Sequence, residues 1–238
     1  MRLKSVHIGT CVQVRTAAGV GTCFFRKMPT RGAFLSAAHV FKGVQANETI
    51  FFREGKDWTP FVVQEIVHDP DGNDVCAFTL QNLRWHYADA DPRMPGIFLG
   101  DPVRFLGFPH GLTSTYPSET GFSTPLVRNA YLSGAIVENG KDLTVFDGFN
   151  NPGYSGGPIY ADAGDGTPIL IGLISGYRIE APEKSLVYRR GPNGTEQEVE
   201  GLFVKPNSGM IYAVSTAAIS GVFDALSTSN AQADAALG

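Results

Sequence analysis

Between residues 19 and 83 apolar and polar positions come in short runs, at 21–26, 32–36, 49–53, 59–66 and 75–80, closed by turn residues such as Asp69-Pro70-Asp71-Gly72-Asn73. Regular strand-and-turn spacing of this kind predicts a closed or nearly closed antiparallel barrel. Ahead of it, Val6, Ile8, Thr10, Val12 and Val14 fall on one face of an alternating segment. That alternation predicts a strand across residues 1–15 and excludes the unbroken apolar stretch of a signal peptide. Residues 84–100 are polar and broken by proline, which suits a connector. A second series follows at 102–108, 123–137, 143–146, 157–160 and 169–177, then a hairpin within 185–204 and a last run at 209–214. The pattern changes at 215–226, where a capping residue and helical apolar spacing predict a short amphipathic helix, and 227–238 read as a small, polar, frayed tail. The organisation expected is an N-terminal barrel over 1–83, a connector over 84–100, a C-terminal barrel over 101–214, and a helix and tail over 215–238, all in one module.

Composition narrows the function classes. The 28 glycines and 15 prolines among 238 residues favour many short strands over helices. Net charge is 19 − 23 = −4 with no block of like charges, which gives no reason to expect a nucleic-acid or membrane-surface partner. No run approaches the roughly 18 apolar residues of a membrane span, so the expectation is a soluble, cytoplasmic protein. Cys11, Cys23 and Cys76 lie in apolar, strand-like stretches without metal or redox spacing, and an odd count argues against a disulfide framework. Buried free thiols are expected, and neither a metal nor a cofactor. Cys76 as a nucleophile is the poorer reading, since it sits inside a strand with no glycine turn to expose it. Nothing here sets an oligomeric state.

The candidate chemistry sits in Asn150-Asn151-Pro152-Gly153-Tyr154-Ser155-Gly156-Gly157-Pro158. Glycines on both sides of Ser155 let a hydroxyl stand at a sharp turn with uncrowded backbone N–H groups around it, which a serine nucleophile needs. The same residues fit the Gly-x-Ser-x-Gly elbow of α/β-hydrolases, whose order is Ser, acid, His. That order is impossible, because His7, His39, His68, His86 and His110 all precede Ser155. An Asp, His, Ser order fails for His39, since the first aspartate is Asp57. The order His, Asp, Ser survives. It is filled by His39 at the end of Leu35-Ser36-Ala37-Ala38-His39 and by Asp74 at the head of Asp74-Val75-Cys76-Ala77-Phe78.

These three blocks resemble the T-A-A-H, D-I-A-L-L and G-D/N-S-G-G-P blocks of trypsin-like serine peptidases, nearer to the bacterial Deg (high-temperature-requirement) type than to digestive trypsins. The resemblance implies an all-β fold of two packed six-stranded antiparallel Greek-key barrels of the chymotrypsin type. It also implies serine endopeptidase activity through His39, Asp74 and Ser155, an oxyanion hole from the N–H groups of Gly153 and Ser155, and a protein or peptide substrate bound as an extended strand. Position in the family places Phe149 at the floor of the pocket preceding the scissile bond, with Ser175, Gly176, Tyr177 and Met210 on its walls. No acid is among them, which favours cleavage after small or aliphatic residues over Arg or Lys. Tyr154 stands where digestive enzymes carry an aspartate for a newly cut amino terminus, so activation by clipping is not expected. The PDZ domain usual in Deg enzymes has no room in the 238 − 155 = 83 residues after Ser155. Two other functions use the same residues: a catalytically silent module that captures extended peptides, and an esterase or acyl transferase.

Overall fold

The computed structural model describes residues 1–27, 32–83, 85, 96–116, 120–179, 185–204 and 207–236. Strands β1 (Cys11–Thr16), β2 (Gly19–Lys27), β3 (Gly32–Ser36), β4 (Thr49–Glu54), β5 (Asp57–His68) and β6 (Cys76–Leu80) close into an antiparallel barrel in the order β1-β2-β3-β6-β5-β4. A second closed barrel takes β7 (Pro102–Gly107), β8 (Leu126–Glu138), β9 (Lys141–Asp147), β10 (Pro158–Asp162), β11 (Pro168–Ile179) and β14 (Asn207–Ser215), in the order β10-β11-β14-β9-β8-β7. Between β11 and β14 the chain forms a separate two-stranded hairpin of β12 (Ser185–Arg190) and β13 (Glu196–Val204).

Alternation along the strands decides what each barrel encloses. Phe34 is the hub of the first, with ring centroids of Phe25, Phe52 and Trp85 at 5.2 Å and Phe78 at 5.4 Å. The second is mainly aliphatic, with Ile159, Ile169, Ile171, Ile174 and Ile211 around Phe105, Phe146 and Tyr154. Each such side chain removed from water contributes about 1.5–3 kcal/mol.

Two elements differ from the sequence expectation. Residues 5–9 do not continue a strand; they form one helical turn, α1 (Ser5–Gly9). The turn closes because His7 Nδ1 accepts the Lys4 N–H at 3.2 Å, and because the buried imidazole packs edge-on to Tyr160 at 5.4 Å. Tertiary packing overrides an alternation that one turn of helix also satisfies. At the other end the helix does not stop near residue 226: α2 runs Thr216–Ala236. Its second half holds four alanines and neither glycine nor proline, so nothing local ends it. Ile219, Val222, Phe223 and Leu226, at the i, i+3, i+4, i+7 spacing of one helical face, are buried, and the helix touches β5 and β6 of the first barrel and β11 and β14 of the second. It therefore ties the two barrels together. Among the described residues no helix is long and apolar enough to cross a membrane, and the three cysteines are buried and free.

Candidate active site

His39 follows β3 in a 3₁₀ turn, Ala38–Phe41. Val40 and Phe41 are buried and pin that turn, while the His39 side chain stays 52% exposed to the cleft. Asp74 comes from the turn before β6, where the buried Asp69 carboxylate accepts the Asn73 N–H at 2.9 Å and its side-chain amide at 2.8 Å. Asp74 receives three donors: the His39 backbone N–H at 2.9 Å, His39 Nδ1 at 2.8 Å and the Ser175 hydroxyl at 2.5 Å. Since a carboxylate only accepts, Nδ1 is the protonated nitrogen and Nε2 is left with its lone pair toward the cleft.

The serine loop hangs between the barrels. Thr22 of β2 donates its N–H to the Ser155 carbonyl at 2.8 Å and its hydroxyl to the Gly153 carbonyl at 2.7 Å. Tyr154 turns inward, fully buried, and meets Phe105 edge-on at 4.9 Å. The residue before Ser155 is thus anchored by a buried ring. Burial pushes its phenol up to about 12, and the hydroxyl has no hydrogen-bond partner among the described residues. A buried unsatisfied hydroxyl costs about 1–3 kcal/mol. Tyr154→Phe is accordingly expected to raise the unfolding free energy while leaving turnover unchanged; a drop in stability in denaturant unfolding would show that the hydroxyl has a partner.

Gly153 has φ +108, and a Cβ there would lie 2.2 Å from the Phe108 carbonyl oxygen, so the backbone conformation and the close approach both demand glycine. Among the described residues the N–H groups of Gly153 and Ser155 have no backbone acceptor. Two open donors on one loop can stabilise an oxyanion. The Ser155 hydroxyl donates to the Ser175 carbonyl at 3.3 Å, and among the described residues no hydrogen bond joins it to His39.

The pocket expectation needs correction. Phe149 is 61% exposed and cannot form a closed aromatic floor; Arg128 holds its carbonyl at 3.0 Å. The buried residue is the next one: Asn150, 1% exposed, donates from its side chain to the Gly176 carbonyl at 3.0 Å, and its own carbonyl accepts from Asn207. Ser175 and Gly176 lie on β11 and Met210 on β14, with Met210 on the outer face; the Tyr177 side chain lies outside the described residues, as do Glu180 and His86. Ser175, expected only as a wall, also donates its hydroxyl to Asp74 and accepts from Ser155. No residue-type pattern announces that role, because it depends on a bulge in β11 between Ile174 and Gly176 that re-aims the strand.

Electrostatics set the protonation states. The hydrogen bond to Asp74 raises the His39 pKa above its ordinary value, with partial burial opposing. For Asp74 burial works upward, but the hydrogen bonds from His39 and Ser175 and the charge of His39 together hold it below the usual carboxylate value. The pair therefore stabilises the fold most between the ordinary carboxylate pKa and the ordinary histidine pKa. Its contribution fades as pH falls through the depressed Asp74 value and as pH rises through the His39 value. Among the described residues no group of three or more His, Cys, Asp or Glu side chains could hold a metal ion.

Two closed six-stranded antiparallel barrels with this cleft between them define the chymotrypsin type of fold. A family model described as a trypsin-like peptidase domain matches residues 21–173, and the chain belongs to that family. Among solved structures it superposes on Rv3671c from M. tuberculosis H37Rv, an inactive-form serine-to-alanine mutant, with a TM-score of 0.59 and 18% identity over 94% of this chain and 89% of that one. AlgW, an HtrA-type protease solved with a tripeptide, gives 0.58 and 18% over 94% of this chain and 64% of that one. The MamO protease domain from Magnetospirillum magneticum, in its apo form, gives 0.55 and 14% over 90% and 96%. Likeness at these identities speaks for the fold. A search of curated protein sequences finds no match.

Proposed function

We propose that this protein is a serine endopeptidase that cuts peptide chains through His39, Asp74 and Ser155. The observation that carries the reading is the 2.8 Å contact between His39 Nδ1 and Asp74, made beside a glycine-lined loop that presents Ser155. Ser155 attacks the scissile carbonyl as His39 Nε2 takes its proton. The tetrahedral oxyanion binds the N–H groups of Gly153 and Ser155. Collapse transfers the proton to the leaving amine and leaves an acyl-enzyme, which water hydrolyses by the same steps. Asp74 keeps Nδ1 protonated throughout, and Ser175 and the His39 backbone N–H hold its carboxylate in place.

An extended substrate adds to the edge of β11 beyond Ile174, whose N–H and carbonyl are the last on that edge to be taken, by Gly157 and Gly156. A substrate N–H reaching the Ser175 carbonyl displaces the Ser155 hydroxyl and frees it to turn toward His39. The same contact favours the second reading, a silent peptide-binding module, because the hydroxyl as it stands points away from its base. Turnover separates the two readings.

Because the neutral imidazole is the base, kcat/KM is expected to rise with pH along a limb centred above about 6.5, the ordinary histidine value. A limb centred clearly below it in a pH–rate profile would contradict the Asp74 pairing. Asp147 is exposed, and the described residues expected around the pocket, Asn150, Ser175, Gly176 and Met210, carry no carboxylate. A substrate Arg or Lys entering there would lose hydration without an ion partner. Cleavage of a peptide library is expected after uncharged small or aliphatic residues, with basic residues before the cut depleted. Enrichment of Arg or Lys would show that the pocket is lined by other residues, and no cleavage of any peptide would favour the silent module.

A further inference from the structure

The loop of residues 108–112 packs directly on the nucleophile loop, and its anchor comes from the other barrel. The His110 N–H donates to the Pro152 carbonyl at 2.8 Å. In a trans peptide C=O and N–H point in opposite directions, so holding that carbonyl aims the Gly153 N–H the other way. His110 achieves this in a left-handed conformation, φ +51, inside the 3₁₀ turn Pro109–Gly111. A non-glycine residue held there is strained and stays only if its surroundings hold it.

What holds it is Arg53, on β4 of the first barrel. Its Nη1 donates to the Gly111 carbonyl at 2.8 Å and to Oε1 of the buried Gln13 at 3.2 Å, and its Nε donates to the Gly55 carbonyl at 3.1 Å. The guanidinium carbon lies 6.0 Å from the Trp58 ring centroid. The backbone of the same segment also holds Ser123, whose N–H donates to the Arg53 carbonyl at 3.1 Å and whose hydroxyl donates to the Gly55 carbonyl at 3.3 Å. A planar fork of fixed donors suits this task, because one side chain satisfies three separate oxygens and fixes their spacing.

We propose that Arg53 is a positioning residue for the oxyanion-binding N–H of Gly153, acting through the turn Pro109–Gly111. It touches neither substrate nor the triad. Its side chain fixes Gly111, Gly111 fixes His110, and the His110 N–H fixes the Pro152–Gly153 peptide. When the guanidinium is lost, that peptide is free to rotate and carry its N–H out of the hole, while the strand edge that binds substrate stays intact. The inference rests on the endopeptidase reading for its kinetic consequence but not for its structural one.

The test compares wild type, Arg53→Met and Arg53→Lys in the full chain, by steady-state kinetics on a peptide the wild type cleaves and by amide hydrogen exchange. Losing an oxyanion donor outright costs about 10²–10³ in kcat. Arg53→Met, which only frees the donor to move, is expected to lower kcat about 10–100-fold with KM nearly unchanged. Exchange should accelerate at 108–112 and around Gly153 but not in β1–β4. Arg53→Lys keeps one charged donor within reach of Gly111 and should recover part of the loss. Wild-type kcat and exchange in Arg53→Met would overturn the proposal. Loss of protection throughout the first barrel with a parallel rise in KM would also overturn it, since that marks a merely structural role. If the wild type cleaves nothing, the endopeptidase reading fails, and exchange alone decides: acceleration confined to the two loops supports the coupling, and unchanged exchange sinks it.

Discussion

Ser155→Ala and His39→Ala are each expected to reduce peptide hydrolysis by about 10⁴–10⁶, and the double variant to be no slower than the worse single one, because nucleophile and base act as a unit. The geometry explains the non-additivity. Without Ser155 the imidazole has no proton to take, and without His39 the hydroxyl keeps its proton and remains bonded to the Ser175 carbonyl at 3.3 Å. Asp74→Asn should cost about 10⁴, since an amide can donate to Nδ1 and stabilise the wrong tautomer. It should also lower the apparent pKa of the rate profile, because the bond that raises His39 is gone. Residual rate over the uncatalysed reaction is expected from the Gly153 and Ser155 N–H groups, which all three variants keep. A His39→Ala protein within about tenfold of wild type would remove His39 from the mechanism, since general base catalysis alone contributes about 10²–10⁴.

Gly156→Ala is expected to be the most disruptive single-methyl change in the chain. Gly156 has φ +85, and a Cβ there would lie 2.1 Å from the Thr22 carbonyl oxygen and 2.4 Å from the Ser36 hydroxyl. Both neighbours belong to the first barrel, and the Ser36 hydroxyl is already committed to the Thr22 carbonyl at 2.8 Å. The methyl group therefore forces strand β2 off the serine loop and breaks the Thr22 contacts to Gly153 and Ser155. Overpacking and backbone strain together cost about 2–6 kcal/mol, and hydrolysis should fall with them because the loop carries Ser155 and the N–H groups proposed to bind the oxyanion. Gly176→Ala is the control for stability, since a Cβ there meets nothing within 4 Å. Denaturant unfolding should separate the two clearly; equal midpoints would mean that the barrels are not in contact at Gly156.

Side chains whose chemistry is specific were legible in the sequence. All five histidines precede Ser155, so chain order left only the His, Asp, Ser arrangement; the small-residue run ending in His39 and the apolar run opened by Asp74 then pointed to those two residues. The strand series was legible for the same physical reason: each barrel buries one face of every strand, and that demand writes alternation into the chain. Where a group acts through its backbone, the sequence is silent. Any residue but proline could supply the N–H that His110 gives to Pro152, and the carbonyl of Ser175 looks like every other carbonyl.

Parity is the second source of error. Between the end of β9 at Asp147 and the serine loop, strand alternation lapses, so counting back from Ser155 put Phe149 inward when Asn150 is the buried residue. Residues 5–9 failed for a related reason, since five residues with apolar positions at 6 and 8 fit a helical turn as well as a strand. Arg53 was invisible as a functional residue because its partners, Gln13, Gly55 and Gly111, are far apart in sequence and carry no charge.

The most direct test of the central claim is covalent labelling with a fluorophosphonate probe, followed by peptide mapping in a mass spectrometer. The probe needs an activated serine and an oxyanion site but no peptide substrate, so it tests the site apart from specificity. The account predicts one adduct, on Ser155, with labelling lost in Ser155→Ala and strongly slowed in His39→Ala. An adduct on another serine, or equal labelling of wild type and Ser155→Ala, would contradict it.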